Sequence, residues 1–306
     1  MTESTNRKIP LITLSAGGND DELAERGLGM EHVDELLVRV AKKLLSTGNR
    51  LSFGGALGDG EKKLTQYLIE TAQNWLDNAA AQEGDVTNPK TWPLVNYSAW
   101  PYHTFISEEQ RANQVGVCQF IDINPPDVPD EQLKHVPEDW KTDPQTRVYT
   151  SDSLSQMRER STRDSDLRIV WAGKIKGSSG WIPGILEEVG YSLAQNKPVL
   201  ILGGYGGCAG LIARYLADKD EPWPDALTLN TGPDDQLDAS ARRALQARFD
   251  RIKTDLNDYR TRLLAGEPLN GLSADVAQKS LTAENGHEIA VLVTKAATAR
   301  DAATAC

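Results

Sequence analysis

Cysteine is scarce in this chain: three in 306 residues, Cys118, Cys208 and Cys306, an odd number with no Cys-x-x-Cys or Cys-x-x-His spacing. That excludes a disulfide framework and a structural zinc site, and it suits a reducing compartment, so a cytoplasmic location is expected. Positive charge is also short, with 33 Lys and Arg against 44 Asp and Glu and a net charge of −11. Such a field repels polyanions and anionic membranes, which argues against a nucleic-acid polymer as partner while leaving room for one local basic pocket. Long apolar runs are missing: the least charged stretch, Pro198 to Ala213, carries five glycines and is too short to span a bilayer. Near the N-terminus the apolar stretch Ile9 to Leu14 is six residues long and ends at Gly17-Gly18, so no secretory h-region forms and no membrane partner is expected.

What is present is alternation. Ile9 to Leu14 and Arg50 to Phe53 each read as a short strand running into glycines, Gly17-Gly18 and Gly54-Gly55, and each is followed by a helix. In the first helix, Met30 to Thr47, Val33, Leu36, Leu37, Val40, Leu44 and Leu45 share one face, and Gly48 is a C-cap signal. The second helix runs from Lys62 to about Trp75, before a polar, loop-like stretch over 79–92. Pro93 to Ser98, Leu167 to Ala172 and Val199 to Leu202 are further strands and Val117 to Ile123 is a further short apolar run, with a helical stretch around Leu154 to Thr162, a helix from Pro183 and another opening at Cys208. This pattern predicts an α/β fold, a Rossmann-like doubly wound parallel sheet with additional C-terminal helices.

The five prolines between Asn124 and Asp152 mark a long excursion without a core of its own. Past Gly232, Leu245, Phe249, Ile252, Leu256, Tyr259 and Leu263 repeat at alternating four and three residues, a heptad-like seam on a helix of about 26 residues. The expected organisation is a domain over 1–235, with 124–152 as an insertion or lid. A helical region over 236–306 follows, which either packs on that domain or mediates self-association.

In an open parallel sheet, ligands bind where strand C-termini meet helix N-termini, and glycine there permits close approach of a phosphate. The turn Gly204-x-Gly206-x-x-Ala209 matches the dinucleotide fingerprint but comes late in the fold, which makes a dehydrogenase a minor reading. Trp100, Tyr102, His103 and Phe105 form either a stacking face for a base or a packed loop. Asp20-Asp21-Glu22 and Asp59-x-Glu61 read as solvated acidic surface, and no metal or cofactor is expected.

The block Met157-Arg158-Glu159-Arg160, Asp166 to Gly173 and Pro183-Gly184-Ile185-Leu186-Glu187-Glu188 resembles the central part of the lonely guy phosphoribohydrolases and the wider SLOG superfamily. Leu14-Ser15-Ala16-Gly17-Gly18, Ser52-Phe53-Gly54-Gly55-Ala56 and Lys197-Pro198-Val199 occupy matching places, so the resemblance covers most of 9–230 in order. It implies that Arg160 contacts phosphate or ribose and that Glu188, with Glu187 as fallback, is the functional acid. The hydrolase loop Pro-Gly-Gly-x-Gly-Thr is replaced by the longer Gly173 to Ile185, with Lys174 after the strand, which resembles the sirtuin- and TIR-associated SLOG sensors of bacterial defence systems. The implied ligand-contacting set is Ser15, Gly17, Gly18, Gly54, Gly55, Ala56, Arg160, Lys174, Gly184, Glu187, Glu188, Gly204 and Gly206.

Two functions follow from the resemblance. One is binding of an ADP-ribose-like or cyclic ADP-ribose-like signal, as a sensor or effector component in prokaryotic anti-phage defence. The other is hydrolysis of an N-glycosidic bond in a nucleoside monophosphate or NAD-derived nucleotide, with Glu188 and Arg160 catalytic. The expected partners are a small nucleotide ligand, further copies of this chain, and a separate effector or signal-producing protein.

Overall fold

The computed structural model describes residues 9–18, 23–24, 26–57, 64–83, 92–231 and 237–303. Six short segments pair into one sheet: β1 (Leu11–Gly17), β2 (Arg50–Gly54), β3 (Leu94–Ala99), β4 (Cys118–Ile123), β5 (Leu167–Ala172) and β6 (Val199–Leu202). Every pairing is parallel and the strand order is β4-β3-β2-β1-β5-β6. A parallel sheet needs a crossover between paired strands, and helices supply it here. The chain is therefore an α/β, Rossmann-like fold with helices at its C-terminal end.

The two faces of the sheet differ in chemistry. Side chains alternate along a strand. Ile12, Leu14, Leu51, Phe53, Ile169 and Trp171 enter the large core shared with α1 (Met30–Ser46), whose Val33, Leu36, Leu37, Val40, Leu44 and Leu45 are all buried. Each such aliphatic side chain contributes about 1.5–3 kcal/mol. On the other face Leu11, Val95, Tyr97 and Ala99 pack with Leu154 and Met157, and among them lie polar residues. Thr13 and Ser52 are hydrogen-bonded at 2.6 Å, and Arg168 is the register partner of Thr13.

That second face lies beneath a helix longer than its apolar pattern announces. It runs Pro144–Asp164, starting ten residues before Leu154 and absorbing the end of the 124–152 excursion. Asp143 accepts a hydrogen bond from the Thr146 N–H at 2.7 Å, and Pro144 fills the first turn. Its buried face is made largely of hydroxyls, Thr146, Thr150, Ser151, Ser153, Ser155, Ser161 and Thr162, so hydrophobic periodicity is weak. Short helices at Glu108–Ala112 (α3) and Asp130–Leu133 (α4) precede it, making Pro144–Asp164 α5; Leu64–Glu83 is α2, which continues past Trp75 into the stretch read as loop.

Beyond β5 come α6 (Gly184–Ala194), α7 (Gly207–Ala217), α8 (Ala239–Leu264), α9 (Ala274–Ser280) and α10 (Gly286–Ala303). All six seam residues of α8 are buried within the chain, where the helix packs on α6 and α7. A Cβ on Gly190 would lie 2.5 Å from Ile252, so the glycine sets the close approach of α6 to α8. The heptad-like repeat is thus occupied by intramolecular packing. Among the described residues no helix is long and apolar enough to cross a membrane.

Candidate functional site

From β1 the chain steps outward through β2 and β3 to β4, then returns to place β5 on the other side of β1. The sheet reverses direction between β1 and β5, where such folds leave a crevice at strand C-termini. The Gly173 N–H donates to Gly17 O at 2.8 Å, and the Cys208 N–H donates to Gly173 O at 2.9 Å, which ties β1, β5 and the start of α7 together. Gly173 has φ +88° and its missing Cβ would fall on Ile185, so no other residue fits there.

A cavity of about 610 Å³ opens at this point, in the size range of small-molecule sites. The ends of β1, β2 and β3 contribute Ser15, Gly17, Gly18, Gly54, Gly55, Ala56, Ser98 and Ala99. From the β5–α6 loop come Gly173, Lys174, Ser178 and Ser179; from α5 Leu154, Met157 and Arg158; from α6 Gly184, Ile185 and Glu188. Asn96, fully buried on β3, donates to Phe53 O at 3.3 Å and Gly55 O at 3.1 Å and so fixes the turn after β2. Pro183 gives α6 no side-chain cap, so the first-turn N–H groups of Gly184 and Ile185 remain donors at the cavity wall.

Two consecutive carboxylates divide the buried charge. Glu187, 1% exposed, accepts from Arg158 Nη1 at 2.6 Å and Ser155 Oγ at 2.8 Å and forms an ion pair with Arg248, whose Nη2 lies 3.0 Å away. Its acceptor sites are engaged and it does not line the cavity. Glu188 does line it, with Oε1 3.6 Å from Arg168 Nη1 and 12% of its side chain exposed. Burial works against the Arg158 charge, but Glu187 and Glu188 outweigh it and hold its pKa above the ordinary arginine value. In Arg168 burial prevails and lowers the pKa, with Glu188 opposing and the Arg158 charge adding to the fall. The Arg158 guanidinium lies against Gly180 and Gly184, whose absent Cβ atoms would sit 2.6 Å and 3.0 Å from its terminal nitrogens. Asp34 of α1 also lines the cavity, and its carboxyl is pushed up by burial and then by Glu31.

The long β5–α6 loop is held at several points. Ser151 Oγ donates to Ser179 O at 2.8 Å, Asn230 Nδ2 donates to Gly180 O at 2.9 Å, and Tyr102 Oη donates to Ser179 Oγ at 3.2 Å. Of the aromatic segment, Tyr102 alone lines the cavity. Trp100 is buried with its indole N–H on Leu133 O at 3.1 Å, His103 meets Asn124 Oδ1 at 2.8 Å, and Phe105 faces Trp140.

The cavity therefore brings together Ser15, Gly17, Gly18, Gly54, Gly55, Ala56, Lys174, Gly184 and Glu188, and leaves out Arg160, Glu187, Gly204 and Gly206. Arg160 points away: it is exposed and donates to Asp164 Oδ2 at 2.6 Å, because on a helix it lies about 200° around from Arg158. Gly203 and Gly204 pack under the carbonyls of Leu281 and Ala283, a close approach that a side chain would block, and Gly206 has φ +71° in the turn into α7. Their glycine character answers to packing and turn geometry. Arg158, Arg168 and Asn230 escaped sequence reasoning, since the partners of Arg158 and Asn230, and Ser15 and Glu188 among those of Arg168, come from distant segments.

Among the described residues no group of three or more His, Cys, Asp or Glu side chains is placed to hold a metal ion. Asp20-Asp21-Glu22, Asp59 and Glu61 lie outside the described residues. The family described as SLOG cluster2 matches residues 7–279 of the chain. No curated protein matches it.

Proposed function

Because the chain belongs to the SLOG cluster2 family, which points to nucleotide-related ligand binding or glycosidase-like chemistry, we propose that the cleft binds a small phosphate-bearing nucleotide derivative of the ADP-ribose or cyclic ADP-ribose type. One observation carries the reading: a cavity at the reversal point of the sheet in which Arg158, Lys174 and the α6 N-terminus offer positive charge beside the partly exposed carboxylate of Glu188. Arg158 and Lys174 offset a phosphate or pyrophosphate, with the helix N–H groups as fixed donors. Glu188 accepts hydrogen bonds from ribose hydroxyls. Leu154, Met157 and Tyr102 supply apolar and aromatic surface for the base. A role as sensor or effector component in prokaryotic anti-phage defence follows from the resemblance of the loop after β5.

A second reading, N-glycosidic hydrolysis, is favoured by a second carboxylate lining the same cavity, Asp34 of α1, raised by burial. Paired acids of that kind can stabilise an oxocarbenium-like ribosyl centre and activate water. Incubation with AMP, NAD, ADP-ribose and cyclic ADP-ribose, followed by melting temperature and by chromatography for free base, separates the two. Intact ligand with a raised melting temperature supports the receptor. Free base that disappears in Glu188→Gln supports the hydrolase, and silence towards the whole panel contradicts both.

A further inference from the structure

Arg168 is the second residue of β5, a strand whose six residues are all buried, and is itself 1% exposed. A guanidinium in such a place needs partners for its donors and for its charge. Its terminal donors are met by hydroxyls, Nη1 on Ser15 Oγ at 2.6 Å and Nη2 on Thr162 Oγ1 at 2.7 Å and on Ser161 Oγ at 2.9 Å, while Nε has no hydrogen-bond partner among the described residues. Hydroxyls carry no charge, so they hold the group rigidly without neutralising it. The nearest carboxylate, Glu188, is at 3.6 Å, beyond a strong hydrogen bond but close for two charges in a buried setting. Its neighbour Glu187 is ion-paired with Arg158 and Arg248, whereas the ion-pair partner of Glu188 is Arg168.

We infer that Arg168 is the positioning residue of Glu188, a fixed positive charge behind the cleft that holds this carboxylate in place and lets it share the cleft with an anionic ligand. The inference rests on the nucleotide reading above and deepens it. Without Arg168, a carboxylate and a phosphate in one cleft repel, and Glu188 turns away. With it, the carboxylate stays available to neutral ribose hydroxyls while the ligand's phosphate sees a compensated wall. A merely space-filling Arg168 would affect stability alone.

The test is a double-mutant cycle read by calorimetric titration of ADP-ribose into the full chain. Arg168→Met weakens binding by about tenfold or more, Arg168→Lys restores it to within about threefold, and in a Glu188→Gln background Arg168→Met costs less than about threefold. Additive effects of Arg168→Met and Glu188→Gln, or no rescue by lysine, overturn the inference. Should Arg168→Met fail to fold, Thr162→Val decides: Thr162 does not line the cleft, so weakened binding that vanishes in Glu188→Gln must act through Arg168, and unchanged binding overturns the role. A wild-type chain that binds no ADP-ribose refutes the ligand reading by itself. The pair is then judged on the 13C resonance of the Glu188 side-chain carboxyl at fixed pH, which moves in Thr162→Val and Arg168→Met if Arg168 positions it. No movement overturns the inference.

Discussion

Arg158 and Arg160 stand two positions apart on α5, and their surroundings give them opposite fates. Arg160 is an exposed half of an i,i+4 pair with Asp164, worth about 0.5 kcal/mol or less in water. Arg160→Ala should leave nucleotide affinity within about twofold, whereas Arg158→Ala should weaken it by about tenfold or more, both read by titration. Nothing near Arg158 in the sequence marks it, because Glu187, Gly180 and Gly184 reach it only after the chain has folded back. Asp152 offers a test by pH. Burial, and secondarily Glu187, raise its carboxyl against the lowering effects of the Trp181 hydrogen bond and Arg248. A raised carboxyl keeps its proton in the folded chain where the unfolded chain has released it, so its contribution is full below about pH 4 and is lost as pH rises through the folded pKa. Asp152→Asn, which keeps an acceptor for the Trp181 indole, should raise the melting temperature at about pH 7.5 and change it little at about pH 3.5. Burial likewise pushes the Cys118 thiol up to about 12. Iodoacetamide at about pH 8 should leave Cys118 unmodified in the folded chain by mass spectrometry, and early labelling there would contradict its buried placement.

At the level of elements, legibility followed the kind of side chain doing the burying. β5 and β6 match their apolar segments to the residue, and α1 and α8 show their faces as aliphatic stripes. The first ten residues of α5 did not, since serine and threonine bury that face and a hydroxyl looks the same in a loop. The seam of α8 was visible but its partner was not: a heptad-like stripe is equally suited to another chain or to α6 and α7, and only the packing of Leu256, which is 0% exposed, decides. Leu256→Ala should therefore cost about 2–5 kcal/mol of stability in denaturant unfolding. It should leave the mass in light scattering unchanged; a change in mass without loss of stability would restore the seam to an interface. Gly190→Ala, which presses a methyl onto Ile252, should cost about 1–3 kcal/mol by the same measurement.

For the whole molecule, the net charge of −11 and the proposed anionic ligand are compatible because the charge is unevenly placed. Arg158, Arg168 and Lys174 gather at one end of the sheet, where strand ends, an uncapped helix and the reversal of strand order coincide. The glycine turns at the ends of β1 and β2 and the α6 turn were readable from sequence because their residues are local. The turn after β6 shared their composition yet serves the packing of 281–284, so glycine content alone did not separate a binding turn from a close contact. The most direct measurement is calorimetric titration of ADP-ribose into the wild-type chain and into Arg158→Ala and Arg160→Ala at low and high salt. The expected result is one-site binding of intact ligand that weakens as salt rises and weakens by about tenfold or more in Arg158→Ala but not in Arg160→Ala. No binding by the wild type, or loss in Arg160→Ala with Arg158→Ala unaffected, would contradict it.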